Sequence, residues 1–112
     1  MVEQVKSPWI SLVYDYSHYQ VNGLDMRATM EQVARRAVFV HIKDSKATAD
    51  GFKFLLPGDG SIDYKAYVGA LTSVGYRGPV LVEVSVDVSD QPGYDPVAAA
   101  QHVWERVSPA FP

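Results

Sequence analysis

Three short apolar runs, each interrupted near its C-terminal end by one ionisable side chain, constrain this chain more than any other feature. They are 8–14 (PWISLVY) leading into Asp15, the run Ala37 to Ile42 that holds His41, and the run Val80 to Val86 that holds Glu83. Runs this rich in β-branched and aromatic residues read as strands, and near-continuous apolarity reads as a strand covered on both faces. Between and after them the apolar spacing changes to the helical period. Asp25 is placed to cap a helix from Met26 to Arg36 with Met26, Met30, Val33 and Ala34 on one face. Asp63 caps a second helix with Tyr64, Tyr67, Val68, Leu71 and Val74 on one face and Gly75 as its stop. Asp95-Pro96 opens a third, in which Val97, Ala100, Val103, Trp104 and Val107 form the apolar face and Pro109 ends the helix. A loop of about twenty residues with Gly51, Pro57, Gly58 and Gly60 follows the second strand. The chain therefore reads as three β-then-α units, an α/β fold with parallel strands and outer helices.

In such folds function gathers at the C-terminal ends of the strands, where Asp15, His41 and Glu83 lie, one per strand. Alternation puts Asp15 on one face with Val13, His41 with Phe39, and Glu83 with Leu81. Val38, Val40, Ile42, Val82, Val84 and Val86 form the opposite set, which helices would cover. Two carboxylates and an imidazole converging on one point form a partial shell for a divalent cation such as Mn, Co, Mg or Zn. A buried ionised carboxylate needs a metal, another cation or a raised pKa. Taken singly, each of the three is better explained as a strand-end residue hydrogen-bonded to a nearby loop; their three matched positions together favour the site. His18 and Lys43 extend the cluster at the same rim, either as ligands for substrate hydroxyls or a phosphate, or as a loop residue and a solvated strand end. His102 falls on the last helix as a surface or packing residue. The glycines of 56–60 (LPGDG) offer backbone N–H groups to an anion, and Tyr14, Tyr16, Tyr19, Phe52 and Phe54 offer walls for a sugar, although core packing explains such aromatics more often.

Composition narrows the chemistry. The 112 residues contain no cysteine, which removes disulfides and thiolate chemistry and fits a reducing, cytoplasmic setting. A net charge of −3 with scattered Lys and Arg gives no footprint for a nucleic-acid backbone. No apolar run approaches the ~20 residues that cross a bilayer, so no membrane partner is expected.

In order, Asp15-Tyr-Ser-His18, His41-Ile-Lys43-Asp44, Leu56-Pro-Gly-Asp-Gly60-Ser-Ile-Asp63-Tyr64 and Val82-Glu83-Val84 resemble the sugar phosphate isomerase/epimerase family, across about residues 8–108. The resemblance implies a xylose isomerase-like TIM barrel. It also implies a divalent metal held by Glu, Asp, His and Glu from successive later strands, with the two glutamates moving a proton beside a carbonyl. Asp15, His41 and Glu83 resemble the second, third and last ligands; Glu83 also resembles one catalytic base, and His18 a substrate-binding histidine. Some members carry a substrate-binding arginine just beyond the histidine strand, where this chain reads Ser45-Lys46-Ala47-Thr48.

The resemblance covers only the sixth to eighth of eight βα units, so residues 1–112 are expected to form a single partial TIM-barrel domain. Met1 to Lys6 resembles the tail of the fifth helix, and Glu3 does not stand in for the first metal glutamate, which belongs on the fifth strand. Three parallel strands cannot close a barrel, and the face bearing Val13, Phe39 and Leu81 would lack its opposite wall. The expected partners are a small sugar or sugar phosphate and either further copies of the chain or a complementary N-terminal barrel chain. Two functions follow: part of a metal-dependent isomerase or epimerase, or an inactive barrel fragment that self-associates with vestigial metal binding. Endonuclease chemistry on the same barrel type is disfavoured by the acidic balance.

Overall fold

The structure is a computed structural model that describes residues 6–112. Residues 1–5, including Glu3 and most of the segment read as a helix tail, lie outside the described part. Strand β1 (Leu12–Asp15) is followed by α1 (Tyr16–Gln20) and α2 (Met26–Gln32), and a short 3-10 turn then leads into β2 (Ala37–Ile42). A hairpin of β3 (Asp44–Thr48) and β4 (Gly51–Leu55) precedes α3 (Tyr64–Ser73). The chain ends with β5 (Val80–Val82), α4 (Val86–Ser89) and α5 (Pro96–Val107), closed by a last 3-10 turn. β1, β2 and β5 make one parallel sheet in the order β1-β2-β5, so β2 is central and the other two are its edges.

Capping sets the helix starts as the sequence indicates. Asp25, Asp63 and Asp95 each accept a hydrogen bond from a backbone N–H in the first turn of α2, α3 and α5. The core lies on the helix side of the sheet: Tyr14, Val40 and Ile42 pack with Met30, Ala34, Tyr67, Leu71, Val103 and Val107, all of them buried. Each of the buried Val, Ile, Leu and Met side chains contributes about 1.5–3 kcal/mol through removal from water.

Several expectations need correction. The loop after β2 is largely an antiparallel hairpin, in which Asp44 pairs with Leu55 and Thr48 with Gly51. The first strand starts at Leu12, not Pro8, and α1 is an additional helix. The third strand stops at Val82, because Ser85 caps α4 and places Val86 on a helix. Helices do not cover all of the outward set: Val82 is 47% and Val86 67% exposed. On α5 the buried face is Ala99, Val103 and Val107, whereas Trp104 borders an open apolar groove of about 530 Å³ with Val82, Val84 and Phe111. No described helix is long and apolar enough to cross a membrane.

Candidate functional site

Strand register builds the site. Asp15 is the partner of His41 across β1 and β2, and His41 is the partner of Leu81 across β2 and β5. Residues in register share a face, so Asp15, His41 and Leu81 project to the side away from the core, with Glu83 two residues beyond Leu81. The Glu83 N–H donates to the Ile42 carbonyl (3.0 Å), which extends the β2–β5 pairing to Glu83.

Asp15 is the N-cap of α1, and its Oδ1 accepts from the Ser17 N–H (2.9 Å) and the Ser17 hydroxyl (2.7 Å). These bonds orient the carboxylate and leave its buried Oδ2 without a hydrogen-bond donor. Glu83 uses both oxygens: Oε2 lies 2.8 Å from His41 Nδ1 and Oε1 accepts from Lys43 Nζ at 2.5 Å. Burial pushes the Glu83 carboxyl up, but hydrogen bonds from Lys43 and His41 and their nearby charges outweigh it, holding the pKa below its ordinary value.

Lys43 is 2% exposed, which removes the reading of a solvated strand end. Its ammonium lies 3.4 Å from Asp15 Oδ2, 3.3 Å from His18 Nε2 and 4.3 Å from the centroid of the Phe54 ring. Phe54 meets His18 edge-on and Phe52 in turn, so the β3–β4 hairpin roofs the cluster. Of the aromatics read as sugar walls, Tyr14 is a core residue instead, while Phe54 belongs to the site. Among the described residues, Asp15, His18 and Glu83 offer ligand atoms that all lie within 4.8 Å of one another. His41 joins them through Glu83.

Two structural roles were not visible in the sequence. Ser17 orients Asp15, and the only signal for it is an Asp-x-Ser spacing at a helix start. Asp44 is fully buried and accepts from the N–H groups of Gly58 (2.9 Å) and Ile62 (3.2 Å). Burial raises its pKa against the opposing effect of those donors. The glycine loop therefore gives these N–H groups to Asp44 and not to an external anion. Gly60 is required there, because a Cβ would collide with the Asp44 carboxylate. His102 binds Asp59 Oδ1 on the surface (2.7 Å), away from the cluster.

Comparison with known proteins bears on the family and the fold. The chain is 27% identical over 106 residues to L-ribulose-5-phosphate 3-epimerase UlaE of Shigella flexneri, and 26% identical to UlaE of Escherichia coli. Each match covers 95% of this chain and 37% of the relative, so the chain spans just over a third of these proteins. A crystal structure of the IolI protein with a bound zinc atom superposes with a TM-score of 0.71 at 25% identity, covering 98% of this chain and 42% of that one. A fusion of a xylose isomerase-like TIM barrel with 4-hydroxyphenylpyruvate dioxygenase superposes with a TM-score of 0.63 at 21% identity, over 91% of this chain and 16% of that one. The family profile described as xylose isomerase-like TIM barrel matches residues 1–106. With parallel strands, outer helices and that match over nearly its whole length, the chain belongs to the xylose isomerase-like TIM barrel family.

Proposed function

We propose that residues 1–112 are a partial barrel domain, corresponding to units six to eight, of a divalent-metal-dependent sugar or sugar-phosphate isomerase or epimerase. The observation that carries this reading is the buried Oδ2 of Asp15, which makes no hydrogen bond, has the Lys43 ammonium at 3.4 Å as its counter-charge, and clusters with His18 and Glu83. A carboxylate oxygen held in that way, with a second carboxylate and the His18 imidazole around it and His41 bonded to that second carboxylate, is a donor set that fits Mn, Co, Mg or Zn. The similarity to a zinc-binding structure and to sugar-phosphate epimerases supports the same assignment.

Asp15, His41 and Glu83 are the proposed ligands, with Glu83 also the proton-transfer base. A metal bound there would polarise substrate oxygens as a Lewis acid. Glu83 is placed for its second role by geometry: His41 and Lys43 hold its carboxylate on the open face at the strand end, where it would take a proton from carbon next to a carbonyl. His41 fixes the orientation of Glu83, and Ser17 that of Asp15. His18 and Lys43 are the proposed substrate contacts, for hydroxyl or phosphate oxygens. The proposed closure of the site is by further copies of the chain or by a complementary N-terminal barrel chain, which would cover Val13, Phe39 and Leu81.

A second reading, an inactive fragment that self-associates, is favoured by one observation. Among the described residues Glu83 is the one glutamate in the cluster and Asp15 is assigned to the metal, whereas inversion at a carbon centre by two bases needs a further base beside Glu83. Proton exchange separates the readings, since it needs one base only. In D2O with Mn2+, the active reading predicts loss of the proton signal beside the carbonyl of L-ribulose 5-phosphate or a ketohexose phosphate, abolished in Glu83→Gln. Absence of exchange with every divalent metal would leave the inactive fragment.

A further inference from the structure

We propose that Lys43 is a built-in cation that competes with a divalent metal for the Asp15–Glu83 pair, so that metal enters only as the ammonium withdraws. This inference rests on the metal-binding reading above and adds a control to it. Lys43 Nζ lies 2.5 Å from Glu83 Oε1, 3.4 Å from Asp15 Oδ2 and 3.3 Å from His18 Nε2. Those are the three residues whose ligand atoms cluster within 4.8 Å, so the ammonium sits at the point they surround.

Charge makes the two occupants exclusive. With neutral histidines, Asp15, Glu83 and Lys43 sum to one negative charge, whereas a divalent ion alone balances both carboxylates. A metal takes its oxygens at about 2.0–2.2 Å, which contracts the same ligand atoms around the position the ammonium holds. Two cations a few ångströms apart repel, and the burial of Lys43 and Asp15 limits how far water screens them, although Glu83 and His18 are open to solvent. Lys43 has a second resting place close by: the Phe54 face already lies 4.3 Å from Nζ and attracts a cation through its ring quadrupole. Phe54 belongs to the β3–β4 hairpin, so the displaced lysine would move toward the rim along that hairpin.

The lysine also accounts for how the chain keeps two carboxylates together before any metal binds. Lys43→Met keeps the length of the stem and removes the charge, whereas Lys43→Arg keeps the charge. Mn2+ affinity, read from free Mn2+ by electron paramagnetic resonance, should rise about tenfold or more in Lys43→Met and stay near wild type in Lys43→Arg. Thermal melting gives a second readout: Lys43→Met should melt below wild type in EDTA and gain more from Mn2+ than wild type does. A third uses the unaltered protein, in which Mn2+ should increase acetylation of Lys43 by acetic anhydride relative to the other lysines, read by mass spectrometry. Wild type binding Mn2+ as tightly as Lys43→Met, with unchanged Lys43 labelling, overturns the competition and leaves the metal reading standing. Failure of wild type and Lys43→Met alike to bind Mn2+ overturns both.

Discussion

The two faces of the parallel sheet differ sharply although they alternate along the same strands. On the helix side Tyr14 and Val40 are 0% and Ile42 5% exposed; on the other side Val13, Phe39 and Leu81 are 47%, 44% and 41% exposed. Both faces are apolar in sequence, yet among the described residues only the helix side is packed through its middle, with Val38 and Val82 toward its strand ends still 47% exposed. The exposed face is also the one that carries Asp15, His41 and Glu83 at its C-terminal end. One face holds the fold together, and the other has the composition of an interior wall with the Asp15, His41 and Glu83 side chains at its mouth. That contrast is what a segment of a barrel presents, and it fits the proposed closure by further barrel units.

The largest expected effect comes from setting two neighbours on β2 against each other. Val40→Asp places an unpaired charge in the core and should cost about 4 kcal/mol or more, enough to abolish the cooperative melt seen by circular dichroism. Phe39→Asp, one residue away, should change monomer stability by less than about 1 kcal/mol and weaken any self-association seen by sedimentation. If Phe39→Asp unfolds the chain as Val40→Asp does, the two faces are equivalent in solution and the contrast fails.

A smaller effect is expected at Asp44, which ties the packed side to the loop leading to α3. Asn would turn an NH2 group toward one of the N–H donors from Gly58 and Ile62, so Asp44→Asn should cost about 1–3 kcal/mol in urea unfolding. A cost near zero would mean that the loop finds other partners.

The smallest effect is the pH dependence on the open side. The folded pKa of Glu83 lies below its unfolded value, so its contribution is present above the unfolded pKa, about 4.3, and is lost as pH falls through the folded value. Asp44 has the opposite sign, because burial raises its pKa. Comparing wild type with Glu83→Gln cancels Asp44: the advantage of wild type at neutral pH should shrink as pH falls below the ordinary glutamate pKa toward the lower folded value. An advantage that does not change with pH would show that the Lys43 and His41 contacts do not stabilise the ionised form.

Much of this was legible in the sequence where a periodic signal existed. The three parallel strands, the Asp caps and the shared face of Asp15, His41 and Glu83 follow from alternation and spacing. The β3–β4 hairpin was not legible, because Asp44-Ser-Lys-Ala-Thr has weak strand propensity and becomes a strand through pairing with 51–55 (GFKFL). Helix α1 is too short to show a period and depends on the Asp15 cap. Trp104 occupies an apolar position on α5 yet is 72% exposed, because that part of the helix borders the groove beside β5 and is not packed against the sheet. Lys43 was readable only as a rim residue; its burial depends on carboxylates from two other strands and a ring from the hairpin, none of them near it in sequence.

The central claim is that acid and imidazole groups on the open face hold a divalent cation. Crystals grown with zinc, measured on both sides of the zinc absorption edge, test it directly. An anomalous peak among Asp15, His18, His41 and Glu83, with the Lys43 ammonium displaced, is the predicted result. Zinc bound only at other surface carboxylates or at the His102–Asp59 pair, with Lys43 still bridging Asp15 and Glu83, would contradict it.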